Sequence, residues 1–317
     1  MKAAVLDHLG EIPRDGDFNE PDLHVGETLV HVTAASIKQL DRAIVAGKHY
    51  SSPKTLPIAC GTDGAGRTAA GARVYFSVER RPFGAIAERA PAGMIVPVPD
   101  GLDDVTAAAI VNPAIAAWLP LMWRGELQAG ETVVILGATG SAGKLAVKAA
   151  RLLGAGRVVA AGRRQDVLAS LDADATIDLR RPQAELREIF AAEVERGIGV
   201  IVDYVWGPVA EALIGALTVS ELSAAAGRDV RFVQVGAMGG PTITLPGGAL
   251  RGSRLRILGS GTGNFPPNEP MKAIITDIFA RAARGEIGIE VTRRPLAEVN
   301  EAWRQPSDPD RRLVLTI

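Results

Sequence analysis

Val133-Val134-Ile135-Leu136-Gly137-Ala138-Thr139-Gly140-Ser141-Ala142-Gly143-Lys144-Leu145 runs from an apolar, strand-like segment straight into a helix through a turn of small residues. In such a turn glycines let the backbone approach an anion, and the unpaired N–H groups of the first helical turn face it. Gly140 and Gly143 supply that freedom, so Ala138, Thr139, Gly140, Ser141, Ala142 and Gly143 form a candidate cradle for a pyrophosphate. The segment that follows is helical by pattern, because Ala142, Leu145, Ala146, Ala149, Leu152 and Leu153 fall on one apolar stripe. A triphosphate-binding loop needs Gly, four residues, then Gly-Lys-Ser/Thr. Here Ala138 takes the first place and Leu145 the last, which leaves no hydroxyl for magnesium. Tight strand–helix packing alone is the other reading of the small residues, and the strand, turn, helix, strand sequence weighs against it.

Outward from this turn, strand-like runs recur at Val158–Ala161, Ala175–Leu179, Val200–Val205, Val230–Val235 and Arg256–Gly259, separated by helix-length segments. That rhythm predicts an α/β unit with a doubly wound parallel sheet, and the continuous apolar runs fit strands covered on both faces. Before it, short runs at Ala3–Leu6, Thr28–Val32, Arg73–Phe76 and Met94–Val98, with Gly and Pro between them, predict an all-β first third. Ala-rich helical runs at Val105–Ile110 and Ala114–Trp123 place the boundary near Asn112-Pro113. The tail offers a helix from Met271 to Arg284, a strand at Ile289–Val291, a short helix at Val299–Trp303 and a last strand at Leu313–Ile317. There is no internal repeat and no low-complexity tract.

The second strand ends in Ala160-Ala161-Gly162-Arg163-Arg164. A carboxylate at that tip would bond the free 2′-hydroxyl of an adenosine ribose, whereas guanidinium groups bind a 2′-phosphate with paired donors. The sequence therefore favours NADPH over NADH, with either arginine as the contact. Two solvated arginines, with Asp166 on the ribose, are the alternative.

Composition narrows the rest. The 317 residues suffice for about two domains at roughly 150 residues each. With 35 Lys plus Arg against 36 Asp plus Glu, no positive field exists to hold a nucleic acid, and aromatics at 4% are too few for base stacking. Cys60 is the only cysteine, which rules out an intrachain disulfide and a zinc site of several thiolates. Charge at Asp7 comes too early for a signal peptide, and no sequence run approaches a membrane span, so the expectation is a soluble cytoplasmic protein.

Together with Ala34–Asp41 followed by Gly47, Gly61–Gly66, Asn112–Trp118, Gly137–Gly143 and Val235-Gly236-Ala237, the chain resembles the zinc-free, quinone oxidoreductase-like branch of the medium-chain dehydrogenase/reductase superfamily over nearly its whole length. The resemblance implies a GroES-like β-domain, residues 1–112 with 260–317, and a Rossmann NADP-binding domain, residues 113–259. It implies metal-free reduction of a quinone or an α,β-unsaturated carbonyl. Zinc-dependent relatives carry a cysteine where this chain has Lys38 and a His-Glu pair where it has Thr62-Asp63. Cys60 reads as a packed thiol, since no paired histidine is suggested.

For the site, the resemblance implies Tyr50 as proton donor, against the reading of a rim or core tyrosine whose hydroxyl only bonds backbone; Lys38 and Asp41 are the alternative, as groups that polarise the substrate, unless Asp41 merely pairs with Arg42 at the surface. Around the nicotinamide it implies the turns Val235-Gly236-Ala237 and Gly259–Asn264. There Gly261 admits a flat ring, and Asn264 offers a donor and an acceptor to a carboxamide or carbonyl. Lys38 stands where quinone reductases often have asparagine, and the short link Arg67–Arg73 replaces a longer hairpin. A homodimer is expected through the apolar edge strand Leu255–Gly259. The remaining alternative is a nucleotide-binding, crystallin-like role without turnover.

Overall fold

In the computed structural model, which describes residues 1–218 and 229–317, the chain divides into two units: Met1–Asn112 with Pro267–Ile317, and Pro113–Pro266. The first unit begins with β1 (Lys2–Leu6), β2 (Arg14–Asp17), β3 (Thr28–Ser36), α1 (Gln39–Val45), β4 (Ile58–Ala59), β5 (Asp63–Thr68), β6 (Arg73–Ser77), β7 (Arg89–Ala92) and β8 (Met94–Pro97). Helix α2 (Asp104–Leu119) leads out of it. The second unit contains β9 (Thr132–Leu136), α3 (Ser141–Leu152), β10 (Arg157–Gly162), α4 (Gln165–Ser170), β11 (Ala175–Asp178), α5 (Gln183–Arg196), β12 (Val200–Asp203), α6 (Gly207–Leu217), β13 (Val230–Gln234), α7 (Gly247–Arg251) and β14 (Leu255–Gly259). The chain then returns to the first unit with α8 (Asn268–Ala283), β15 (Glu290–Pro295), α9 (Val299–Arg304) and β16 (Arg311–Thr316).

Strands of the first unit form a mixed sheet in the order β15-β16-β3-β5-β6-β8, with β7 also on β3 and a small β2-β1-β4 sheet beside it. The C-terminal β16 runs antiparallel to β3, pairing Val314 with Ser36 and Thr316 with Ala34. Alternation along β3 buries Val30, Val32 and Ala34 and exposes His31, and Val30 and Val32 share a core cluster with Leu6, Ile58, Phe76, Ile86 and Trp303.

The second unit is a parallel sheet in the order β11-β10-β9-β12-β13-β14, wound in opposite directions from β9 and β12. This is the Rossmann arrangement, in which ligands bind at the carboxyl ends of the strands where the winding reverses. Val134, Leu136, Val159, Ile201 and Phe232 lie in its core with Leu186, Phe190 and Leu213 from the helices.

Three expectations are corrected. Helix α2 runs unbroken through Pro113 and continues as a π-helical turn, Pro120–Arg124. That makes 21 residues apolar and long enough to cross a membrane, although no such run was expected; 72% of its most apolar stretch is buried inside the protein, as in a core helix. The run Val200–Val205 leaves the sheet after Asp203. Ser260–Pro266 belong to the parallel-sheet unit rather than to the first, because the Ser260 N–H bonds Gln234 O and extends the edge of β13.

Candidate functional site

The turn between β9 and α3 is built on two close approaches. Gly137 has φ +89°, and its N–H and that of Ala138 both donate to Ala161 O at 2.9 Å, which ties the turn to the tip of β10. A β-carbon on Gly143 would overlap the Gly137 carbonyl and lie 2.7 Å from Ala138 Cα, so α3 packs against the turn only with glycine there. A β-carbon on Gly140, by contrast, would face open space, meeting only Gly137 O at 3.7 Å. Ser141, Ala142 and Gly143 begin α3 beside that opening, with their N–H groups ahead of the first helical bond, Lys144 N–H to Gly140 O.

At the β10 tip Gly162 is buried and Arg163 is exposed. Asp178 pairs in register with Gly162 from β11, and its carboxylate accepts from Arg180 Nη2 at 2.7 Å. That contact, with the Arg180 backbone N–H, holds the Asp178 carboxyl well below the usual range. Sequence reasoning missed both residues, because their proximity to Gly162 is set by strand pairing.

The turns after β12 and β13 are joined backbone to backbone. Asp203 is fully buried, and its Oδ1 accepts from the N–H groups of Val205 at 2.7 Å and Trp206 at 3.0 Å. Burial outweighs these bonds and pushes its carboxyl up to about 6. Val235 and Gly236 donate to Asp203 O at 2.8 and 3.1 Å. Trp206, at φ 59° and ψ −160°, occupies a region that is almost exclusive to glycine and costs about 1–3 kcal/mol. After β14, Asn264 braces its own loop: its Oδ1 accepts the Gly261 N–H and its Nδ2 donates to Gly259 O, both at 2.9 Å.

In the first unit, Lys38 is also corrected. Its side chain is 0% exposed, and its ammonium lies 3.2 Å from both Asp41 Oδ2 and Asp63 Oδ2. Burial pulls the ammonium's pKa down, but the two carboxylates outweigh that and hold it above the ordinary lysine range. Asp41 is thus no surface partner of Arg42, which instead donates to the carbonyls of Trp303 and Gln305. Asp41 Oδ2 also accepts the Lys38 N–H at 3.0 Å and so starts α1. Tyr50 lies elsewhere on this unit, 73% exposed, with its ring 4.0 Å from that of His49. Cys60 is buried, and burial pushes its thiol far up, out of reach of nucleophilic chemistry.

The structure therefore sets Ala138–Gly143, Gly162–Arg164, Val235–Ala237, Gly261 and Asn264 along the carboxyl ends of the strands of one parallel sheet, while on the first unit Lys38 is buried and Tyr50 exposed.

No family model matches the chain. It is 31% identical over 229 residues to a probable NADPH-dependent quinone reductase of Emericella nidulans, a match covering 68% of this chain and 62% of that protein. The chain thus spans about six tenths of the length of this curated relative. Over the full length of both chains it superposes on a quinone oxidoreductase of Thermus thermophilus, solved also with NADPH, at a TM-score of 0.79 and 27% identity. A mycobacterial quinone oxidoreductase shares the fold, likewise over both full chains, at a TM-score of 0.84 and 20% identity. In sequence and in fold, the chain is thus similar to NADPH-dependent quinone oxidoreductases.

Proposed function

We propose that this chain binds NADPH on the glycine-turn edge of its parallel sheet and is an oxidoreductase acting on quinones or α,β-unsaturated carbonyl compounds. The observation that carries the reading is the cradle itself. Gly140 opens it, Gly143 lets α3 close behind it, and the adjoining strand tip carries Arg163 and Arg164 with no carboxylate of its own. The first-turn N–H groups of α3, at Ala142 and Gly143, would hold the pyrophosphate over the turn shaped by Ala138, Thr139, Gly140 and Ser141, and the arginines the 2′-phosphate. Val235, Gly236, Ala237 and Gly261 would flank the nicotinamide, with Asn264 bracing the last of these turns. The bound nucleotide supplies a hydride. Likeness to a probable NADPH-dependent quinone reductase of Emericella, and to a Thermus quinone oxidoreductase solved with NADPH, supports the choice of cofactor and acceptor.

Alkene reduction needs a proton as well as a hydride, and Tyr50 Oη is the proposed donor, since its side chain is presented to solvent while the Lys38 ammonium is enclosed by two carboxylates. A metal-free route is supported by Lys38, held between Asp41 and Asp63 at the position where the resemblance puts the catalytic cysteine of zinc-dependent relatives. Two copies would pair through β14, which ends the sheet and carries a partner strand on one side only among the described residues. The single, buried Cys60 thiol supports work in a reducing, cytoplasmic setting.

Calorimetric titration with NADPH and NADH, followed by NADPH consumption over a panel of quinones and enones, tests the reading. NADPH is expected to bind at least tenfold tighter and to be consumed with one acceptor class. Equal affinities overturn the cofactor assignment, and tight binding without turnover overturns the reductase.

A further inference from the structure

We propose that Trp206 is a positioning residue: seated against Phe232, its indole holds the turn after β12 in a left-handed shape that carries the turn after β13 into place. The role at the cofactor site rests on the reading above; the mechanical coupling of the two turns does not.

Trp206 and Glu126 are the two non-glycine residues with positive φ among the described residues, and Trp206 combines φ 59° with ψ −160°. A side chain persists in that region only where its surroundings over-determine it. Here the surroundings are the apolar core of the parallel-sheet unit. The indole meets the Phe232 ring edge-on, with centroids 6.0 Å apart and planes at 67°. The neighbouring Tyr204 is fastened as well, its Oη donating to Ala116 O at 2.7 Å.

The strained shape turns the Val205 and Trp206 N–H groups back onto Asp203 and leaves the carbonyls of Tyr204 and Val205 facing the next turn. Those carbonyls accept from Met238 N–H at 3.3 Å and Gly239 N–H at 2.6 Å. No side chain fits between the two segments. A β-carbon on Gly207 (φ +58°) would lie 2.8 Å from Gly239 O, and one on Gly236 would lie 2.8 Å from Tyr204 O. Residues 204–207 and 236–240 therefore move as one piece, and the ring in the core is its anchor. Glycine at position 206 would accept the backbone shape with no ring to hold it there.

The experiment compares Trp206→Gly, Trp206→Phe and wild type in two readouts: amide hydrogen exchange at Met238 and Gly239 without ligand, and the calorimetric dissociation constant for NADPH. For Trp206→Gly the expected result is exchange at both amides at least tenfold faster and NADPH bound at least tenfold more weakly. Trp206→Phe, which keeps a ring, should stay within threefold of wild type in both. If Trp206→Gly only lowers the melting temperature, with exchange at these amides and NADPH affinity unchanged, the residue is ordinary core and the proposal is overturned. If wild type binds no NADPH but the exchange result holds, the coupling stands and the cofactor reading falls. Should Trp206→Gly not fold, Trp206→Leu, which keeps an apolar group but loses the ring contact, is read by the same criteria.

Discussion

The β-carbon that Gly162 lacks would lie 2.5 Å from Thr139 Cγ2 and 3.0 Å from Thr139 Oγ1, so the side chain of the glycine turn closes over the tip of the neighbouring strand. Gly162→Ala should cost about 1–3 kcal/mol by overpacking. Adding Thr139→Ser, which removes the nearer methyl, should recover at least half of that loss in urea denaturation. Two losses that simply add would show that Thr139 is not the obstacle.

Arg163→Ala and Arg164→Ala separate the two guanidinium candidates. A charged hydrogen bond to the 2′-phosphate contributes about 1.5–3 kcal/mol, so loss of the true contact should weaken NADPH at least tenfold and leave NADH within twofold. Arg180→Ala is the third variant, since strand pairing brings its partner Asp178 beside Gly162. If none of the three shifts the ratio of the two affinities, the 2′-phosphate is bound elsewhere.

Tyr50→Phe should lower turnover of an enone by about 10²–10⁴-fold while NADPH affinity stays near wild type. Quinone reduction should suffer much less, because a hydroquinone anion takes its proton from water. Equal losses on both acceptors, with weaker NADPH binding, would make Tyr50 a packing residue of its surface.

Lys38→Met leaves two buried carboxylates without their cation and should destabilise the protein by about 3–5 kcal/mol. The double variant Lys38→Met with Asp63→Asn should be more stable than the single one, read by chemical denaturation at pH 7. A single variant as stable as wild type would mean that the pair of contacts at 3.2 Å contributes nothing net.

Asp203 makes stability depend on pH. Its carboxyl is held at about 6 in the folded protein against 3.8 for the free group, so the folded state keeps the proton longer. The stability it lends is full below the lower value and is lost as pH rises toward the higher, on the order of 3 kcal/mol in all. Asp203→Asn keeps an acceptor oxygen and has nothing to titrate. The difference in unfolding free energy between wild type and this variant should therefore change between pH 4 and pH 6.5, in the direction of a relatively weaker wild type at the upper end. A difference that stays constant across that range would mean that Asp203 ionises normally.

Apolar runs announced β1, β3, β6, β8 to β10, β12 and β13 because each buries its residues in the strand period or on both faces, and the same kind of run marked β11 and β14, which bury one residue each. Strand β5 was hidden by its own composition. Asp63-Gly64-Ala65-Gly66 reads as a turn, yet a β-carbon on Gly64 would lie 2.7 Å from Ala34 O, and one on Gly66 would overlap His31 O. Glycine there serves the close approach of β3, a requirement that exists only once the strands pair. The glycine turn of the site was legible for the opposite reason, since strand, turn and helix are contiguous. The enclosure of Lys38 was not, because Asp63 reaches it from another strand, nor was the left-handed Trp206, whose anchor Phe232 lies one strand further along the sheet.

Completion of the first unit's sheet by β15 and β16 orders events during synthesis. The parallel-sheet unit is one uninterrupted segment, Pro113–Pro266, and has all its strands as soon as that segment has left the ribosome. The first unit does not: the edge of β3 at Ala34–Ser36 waits for Val314–Thr316, which follow the whole parallel-sheet unit in the chain. Until then its amides face solvent or any passing strand, which is the exposure that chaperones exist to manage. The first unit can close only after the whole parallel-sheet unit has been made.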